Sequence, residues 1–511
     1  MTGGRIRRIL RFRMRERSDH RLTAALIAGL CALLLLKYFW TMLWFQVPLG
    51  YDAGIYRYLF VRHGEGFPPF VLGHVEPWAK GHPLGLFFFS TILIRLGMPV
   101  DWLVGWIWNL VPVALACSLA WIAGRKWGKS VGILTLVMAV LSLSQFYGFI
   151  AMYWKTELSL LFGVWAFYLL ERRSWIAAPL LMLALATHHQ TGLLLGMTVL
   201  AHLLSGLIGG GKSADRRQTV FLLLAGAAAC LVALLWYVPI WDQAVSVNLR
   251  ALLARASDGT SGSFPAPSLF LRFSGPELLL AAAGFVLSFR RERGTLWQWA
   301  ALWPLLFVLL HLFFYKRFFL QLEFFLLPFA ALGAHALWQK RGAGRAALSV
   351  LLVLQMILSL AAMLPGRAGC TILPFLCDAQ SPPSIDVPVT ADVLQDIRRI
   401  GDALPRGAKV LALEPVTAPW VQGWMPYQII AGPGIFAAPP WDAAVWQKLI
   451  LGTAEERSAL FAQLEKPLYL YTSDLFWNYY GETAGSLRTD PCVQPTAFAH
   501  LWMVACPPGG A

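Results

Sequence analysis

The sequence predicts a polytopic α-helical membrane protein of about eleven spans that ends in a small α/β domain. Three observations carry that prediction. Of 511 residues, 58% are hydrophobic and only 14% charged, outside the range of soluble domains. Apolar runs recur from residue 22 to residue 364, many of them long enough to cross a bilayer as helices. The excess positive charge, +15 overall, sits in short loops between those runs. A basic balance can signal nucleic acid, but this distribution argues against it.

The runs place spans near 22–45, 101–123, 130–150, 158–170, 175–188, 191–208, 218–238, 276–289, 295–314, 319–338 and 346–364. Arg5, Arg7, Arg8, Arg11, Arg13, Arg15, Arg17 and Arg21 precede the first span, so the positive-inside bias sets the N-terminus in the cytoplasm. Later basic clusters stand at Arg125/Lys126/Lys129, Arg172/Arg173, Lys212/Arg216/Arg217, Arg290/Arg291/Arg293 and Lys340/Arg341/Arg345. Each follows the last by one hairpin of two spans, so every cluster faces the cytoplasm. An odd number of spans then puts residues 366–511 outside. The first run ends in Tyr38, Phe39, Trp40, Trp44 and Phe45 without a small-residue cleavage site, which reads as an anchor and not a signal peptide.

Cysteine placement fits this topology. Cys31, Cys117 and Cys230 fall inside spans as small apolar residues. Cys370, Cys377, Cys492 and Cys506 fall in the outer domain, where disulfides persist. Pairings 370–377 and 492–506 are the local choice among three connectivities. No Asn-X-Ser/Thr sequon occurs, which favours a bacterial inner membrane.

The chain divides into a basic N-terminus (1–21), a transmembrane domain (22–365) with a first outer loop at 46–98, and the outer domain 366–511. In that loop Ile55, Tyr56, Leu59 and Phe60 share one helical face, predicting a short surface helix over 53–63. Residues 83–97, opened by Pro83, form an apolar segment too short for a span. A second outer loop is expected at 239–275, with Ser257–Ser263 as a mobile lid. In the tail, Thr390–Leu404 patterns as an amphipathic helix around Val393, Leu394, Ile397 and Ile400. Strands are expected at Lys409–Leu413, Pro467–Tyr471 and His500–Ala505, a single helical stretch at 441–465, and a linker at 414–440. Trp420, Trp424 and Trp441 read as core.

Charge is costly beside hydrocarbon and tends to be functional where it appears. The first outer loop gathers Asp52, Tyr56 and Arg57 with Glu76, Lys80 and His82. The same topology brings Lys155 and Glu157 to the outer face, with Thr187-His188-His189-Gln190-Thr191 and Tyr315-Lys316-Arg317, and Glu323 slightly deeper.

In this order the motifs resemble the GT-C glycosyltransferases, among them lipid A aminoarabinose transferases, protein O-mannosyltransferases and their bacterial relatives. The resemblance rests on Asp52 opening the first outer loop before a Tyr/Arg-rich helix, Glu76…Lys80-Gly-His82-Pro83, Glu157 after the third span, the Thr187…Thr191-Gly192 knot, Tyr315-Lys316-Arg317, and a soluble α/β tail. It implies an enzyme that moves a sugar from a polyprenyl-phosphate donor to an acceptor outside the cytoplasm, inverting the anomeric carbon. Asp52 resembles the general base. Tyr56, Arg57, Glu76, Lys80, His82, Lys155, Lys316 and Arg317 are the candidates for the sugar-phosphate, cations stabilising the leaving phosphate. A divalent cation, Mg or Mn, is the possible cofactor, held by Asp52, Glu157 and His189 or His188. Two departures bear on that metal: Ala53 follows Asp52 where relatives carry paired acids, and Lys155-Thr156-Glu157 stands where they carry Asp-Pro.

Plainer readings compete. Asp52 is placed to cap the surface helix, Glu76 and Lys80 to pair across one turn, and His188 and His189 to be satisfied at helix ends. Lys316 and Arg317 are placed to snorkel, and Glu323 reads as an internal hydrogen-bond partner. The rival functions are a transporter or flippase, which would need ionisable residues near mid-span, and a non-catalytic assembly protein for lipid-linked envelope glycans.

Overall fold

The computed structural model describes residues 3–50, 52–66, 75–76, 79–208, 213–246, 250, 267–312, 314–365, 368–374, 387, 389–432 and 442–506. Of these, 3–20, 207–208, 213–218, 243–244 and 369–370 are described as backbone alone. The chain splits into two compact units. One holds residues up to Trp40, Asn109–Val238 and Val245–Ile385; the other holds Thr41–Trp108, Pro239–Ala244 and Asp386–Ala511.

Each predicted span lies largely on helix, two of them on bent pairs. Five are long and apolar enough to cross a membrane: Arg21–Phe45, Thr219–Ile240, Pro267–Arg291, Tyr315–Gln339 and Ala343–Ala362, and two bent helix pairs raise the number to seven. The run at 130–150 is one such pair, Lys129–Leu141 and Leu143–Ile150, bent by 51°. Ser142 makes the break: it turns to extended backbone and its hydroxyl caps Gln145 N–H, a residue type that competes with helix continuation. Another helix starts earlier than expected. Pro267 opens it and Pro276, the expected start, lies inside it, so the outer loop loses residues 267–275. The expected lid at 257–263 lies outside the described residues.

In the first unit the Pro267–Arg291 and Phe318–Gln339 helices cross with their backbones touching. A Cβ on Gly284 would meet Phe329 O at 1.8 Å and one on Gly333 would meet Leu280 O at 2.1 Å. Small residues at a crossing let helices approach in this way. The second of these helices is almost wholly buried, from Phe318 to Ala334.

In the second unit the surface helix spans Ala53–Glu65 and the short apolar segment Gly85–Arg95. The tail carries a five-stranded sheet in the order β2-β1-β3-β5-β4, with β1 Lys409–Ala412, β2 Ile429–Ala431, β3 Leu468–Tyr471, β4 Val493–Pro495 and β5 Leu501–Val504. β1 pairs β2 and β3 in parallel, while β5 runs antiparallel to β3 and β4. The amphipathic helix forms over Ala391–Ala403, capped by Thr390. The expected single helix at 441–465 is two, Ala443–Leu451 and Ala454–Ala462, because Thr453 and Glu456 close a capping box at the break. The expected linker holds a helix, Ala418–Trp424, as well as β2. Leu411, Leu449, Phe461, Leu470 and Phe476 form the core against the sheet.

Trp420 and Trp424 are buried as expected, whereas Trp441 lies outside the described residues. The Cys492–Cys506 disulfide forms, and Cys31, Cys117 and Cys230 are free thiols. The pairing 370–377 also lies outside what is described, because Cys377 and the Cys370 side chain do.

Candidate active site

Asp52, Tyr56, Arg57, Glu76, Lys80 and His82 belong to the second unit; Lys155, Glu157, His188, His189, Lys316 and Arg317 belong to the first.

In the second unit Asp52 stands at the N-cap of the Ala53–Glu65 helix, yet its side chain makes no capping hydrogen bond. The plain capping role is therefore not the one its carboxylate performs. Gly54, two residues on, touches the Ala418–Trp424 helix, where a Cβ would meet Pro419 O at 1.8 Å. One turn later Arg57 donates to Asp101 Oδ1 at 2.7 Å and to Gly423 O at 2.6 Å. Its guanidinium lies 5.0 Å from the Trp424 ring, which stacks on Trp420 at 5.2 Å. Arg398 closes the cluster by donating to Asp101 Oδ2 at 3.2 Å. Arg57 is thereby held as a clamp between the surface helix and the tail.

Tyr56 is buried with its ring 6.5 Å from Phe87, and His82 meets Phe87 edge-on at 6.2 Å. Lys80 sits half-buried in the turn before the Gly85–Arg95 helix. Glu76 N–H donates to the Tyr58 hydroxyl at 3.2 Å; burial pushes that phenol above its ordinary pKa.

In the first unit the Trp154–Glu171 helix carries Lys155 and Glu157 in its opening turn. Glu157 is 1% exposed, and neither carboxylate oxygen has a hydrogen-bond partner among the described residues. A carboxylate in a first helical turn is favoured by the backbone N–H groups there, but burial without a partner is costly. The polar knot lies alongside. His188 breaks the helix between Ala177–Thr187 and His189–Ile208 with an extended backbone, φ −151 ψ 110. Its Nδ1 lies 2.8 Å from Thr191 Oγ1 and accepts from Thr191 N–H at 3.4 Å. Gln321 Nε2 donates to Thr191 Oγ1 at 3.2 Å. His188 is thus a satisfied helix-end histidine. His189 meets the Tyr237 ring edge-on at 6.3 Å. Lys155, His189 and Arg317 all lie within electrostatic reach of His188.

Lys316 and Arg317 occupy the one-turn helix Tyr315–Arg317, with Arg317 over the Tyr153 and Phe314 rings at 5.9 and 5.1 Å. Beside this turn opens a cavity of about 590 Å³ between the Pro267–Arg291, Leu296–Leu309 and Phe318–Gln339 helices. Its walls are apolar (Leu278, Phe285, Leu305, Leu326 among them), and His311 and Tyr315 are its polar members.

Among the described residues no three His, Cys, Asp or Glu side chains gather as a metal would require, and the Nδ1 of His188 is taken by Thr191.

Sequence reasoning missed two buried charges inside the spans themselves, Lys37 and Glu277. Lys37 Nζ donates to Ala139, Val140 and Ser142 carbonyls at 2.9, 3.1 and 2.5 Å, the groups freed by the break at Ser142. Glu323 accepts from Ser142 Oγ at 2.6 Å, Gln145 Nε2 at 3.0 Å and Ser274 Oγ at 3.3 Å, the internal partner it was read to be. Glu277 is 1% exposed, with no hydrogen-bond partner for its carboxylate among the described residues. The signal was present as single charges within apolar runs.

No protein-family model matches the chain, and no curated protein matches its sequence. Solved structures do match its fold. The Archaeoglobus fulgidus oligosaccharyltransferase AglB, in complex with an inhibitory peptide and a dolichol-phosphate, superposes with a TM-score of 0.57 at 13% identity, covering 89% of this chain and 70% of its own. ArnT from Cupriavidus metallidurans bound to undecaprenyl phosphate gives 0.55 at 12% identity, covering 95% and 98%, and apo ArnT gives 0.56 at 11%, covering 95% and 99%. Another Archaeoglobus structure of the oligosaccharyltransferase contains Zn and sulfate, at a TM-score of 0.56, 13% identity and coverage of 95% and 74%. The likeness extends over most of the chain, which therefore has the fold of the GT-C glycosyltransferases.

Proposed function

We propose that the chain is a membrane glycosyltransferase that takes a sugar from a polyprenyl-phosphate donor and passes it to an acceptor outside the cytoplasm. The observation that carries this reading is the apolar cavity with the Tyr315-Lys316-Arg317 turn at its edge. An apolar wall that includes Tyr315, in a turn that also carries two cations, suits a ligand with a hydrocarbon tail and a phosphate head. Solved structures of the same fold hold dolichol-phosphate or undecaprenyl phosphate.

Asp52 is assigned the acceptor proton, as the acid that opens the surface helix. Lys155, Lys316 and Arg317, with Lys80 and His82, are assigned the negative charge that develops on the departing phosphate. Direct displacement by the deprotonated acceptor inverts the anomeric carbon. No step is assigned to a metal, and turnover is expected to survive EDTA.

Filling the cavity tests the reading. Ala281→Trp and Ala301→Trp should weaken binding of undecaprenyl phosphate at least tenfold in nanodiscs, while Lys316→Gln/Arg317→Gln should weaken the phosphate but not the matching prenyl alcohol. Unchanged binding in all three would remove the cavity as the donor site.

A second reading has one observation behind it. The buried charges Lys37, Glu277 and Glu323 are what a transporter or flippase would carry near mid-span. Lys37 and Glu323 have structural partners; Glu277 has none among the described residues. Donor binding without turnover, together with vesicle uptake lost in Glu277→Gln, would favour that alternative.

A further inference from the structure

The apolar cavity between the Pro267–Arg291, Leu296–Leu309 and Phe318–Gln339 helices has two polar members, His311 and Tyr315. In a pocket of this kind the few polar groups decide which end of a ligand lies where. We propose that His311 is a recognition residue for the donor phosphate: its ring N–H donates to a phosphate oxygen while the prenyl tail lies along the apolar walls. The assignment rests on the cavity being the donor site.

His311 is the lone histidine of the apolar run 295–314. A histidine in such a run is ordinarily buried and hydrogen-bonded. This one is exposed, and neither of its ring nitrogens bonds to another described residue. Its position is nonetheless fixed twice over. Leu312 N–H donates to Phe307 O at 3.0 Å and His311 N–H to Val308 O at 3.3 Å. Those paired bonds close the Leu296–Leu309 helix in a motif whose left-handed residue is usually glycine, and His311 occupies that place with φ 52. The ring itself stacks on Tyr315, with centroids 4.4 Å apart and planes 15° from parallel.

Stacking engages the face of the imidazole and leaves its edge, where both nitrogens lie. In either neutral tautomer one nitrogen is a donor and the other an acceptor, so the ring has an N–H to give. Tyr315 also opens the turn that carries Lys316 and Arg317, which sets the imidazole against the residue next to two cations. Cations draw a phosphate by charge; a donor held in one orientation adds direction to that attraction.

The test measures binding of undecaprenyl phosphate and of undecaprenol to the full chain in phosphatidylcholine nanodiscs, with melting midpoints alongside. His311→Phe keeps a ring for the Tyr315 stack and removes the N–H. It should bind the phosphate about tenfold or more weakly, the loss expected for a hydrogen bond to a charged group, and the alcohol as wild type does. His311→Gly suits the left-handed backbone, so it should melt close to wild type and lose the same phosphate affinity; it stands in for His311→Phe should that variant fold poorly. Phosphate binding equal to wild type in these variants would overturn the proposal. So would an equal loss of phosphate and alcohol, which would give the ring a packing role only. Ala281→Trp, which fills the cavity, tells the two failures apart. If it binds the phosphate as wild type does, the cavity is not the donor site and the role of His311 falls with it. If it binds weakly while both His311 variants bind normally, the donor site stands and His311 alone is removed from it.

Discussion

The charges of the two units are held in opposite ways. In the second unit Arg57 is fastened to Asp101, to Gly423 O and to the Trp424 face, and Arg398 shares Asp101. In the first, Lys37 and Glu323 are buried and saturated with hydrogen bonds, whereas Glu157 and Glu277 are equally buried with carboxylates lacking such partners among the described residues. A charge with a complete set of protein partners is explained by the fold. A buried charge without one is a cost that the fold alone does not repay, and it marks where a substrate or proton is to be sought.

The largest effect that can break this contrast is at Lys37. Lys37→Met removes three hydrogen bonds to freed carbonyls and leaves Glu323 and Glu277 without their cation, which should cost about 3–5 kcal/mol and show as loss of folded protein in detergent melts. A stable Lys37→Met would mean that the break at Ser142 holds without it. Gly423→Ala comes next. Its Cβ would meet Gly54 Cα and O at 2.4 Å, so overpacking should cost about 1–3 kcal/mol, measured by the same melt against a neutral Gly226→Ala, which meets nothing within 4 Å.

The Arg57–Asp101 pair should matter less. Asp101 is 43% exposed, and solvent screening leaves such pairs up to about 1 kcal/mol; a double-mutant cycle measures it, and a coupling of several kcal/mol would show the clamp to be more than packing. Smallest for stability is Glu157→Gln, which neutralises an unpartnered buried acid and should leave the melt unchanged or slightly raised. A loss of donor turnover of about tenfold or more in that variant would give this unpartnered acid a part in the reaction. Full activity would make Glu157 a bystander.

Much of this was readable before the structure. Apolar runs located most of the long helices between Arg21 and Ala362, though not the break at Ser142 or the start at Pro267, since long apolar runs leave a composition signal. The surface helix and the helix after Pro83 were legible from spacing, as was the position of Asp52 at the start of the surface helix. What stayed hidden depended on side-chain partners. Ser142 looks like any small residue in a long run until Lys37 and Glu323 are seen to hold its break. His188 and His189 are neighbours in sequence, yet only Thr191 shows which one is a helix cap. The tail's helix at Ala418–Trp424 escaped because seven residues dense in Trp, Pro and Gly carry no period, and it is fixed instead by the Gly54–Gly423 approach.

We propose that Asp52 activates the acceptor of a prenyl-phosphate sugar. The direct measurement is release of free polyprenyl phosphate by the purified chain in lipid, from a panel of polyprenyl-phosphate sugars with an acceptor-containing membrane extract, comparing wild type with Asp52→Asn. Wild type should release it, unaffected by EDTA, and Asp52→Asn should release at least about a hundredfold less with donor binding intact, in the range for loss of a general base. Equal release by the two proteins would contradict it.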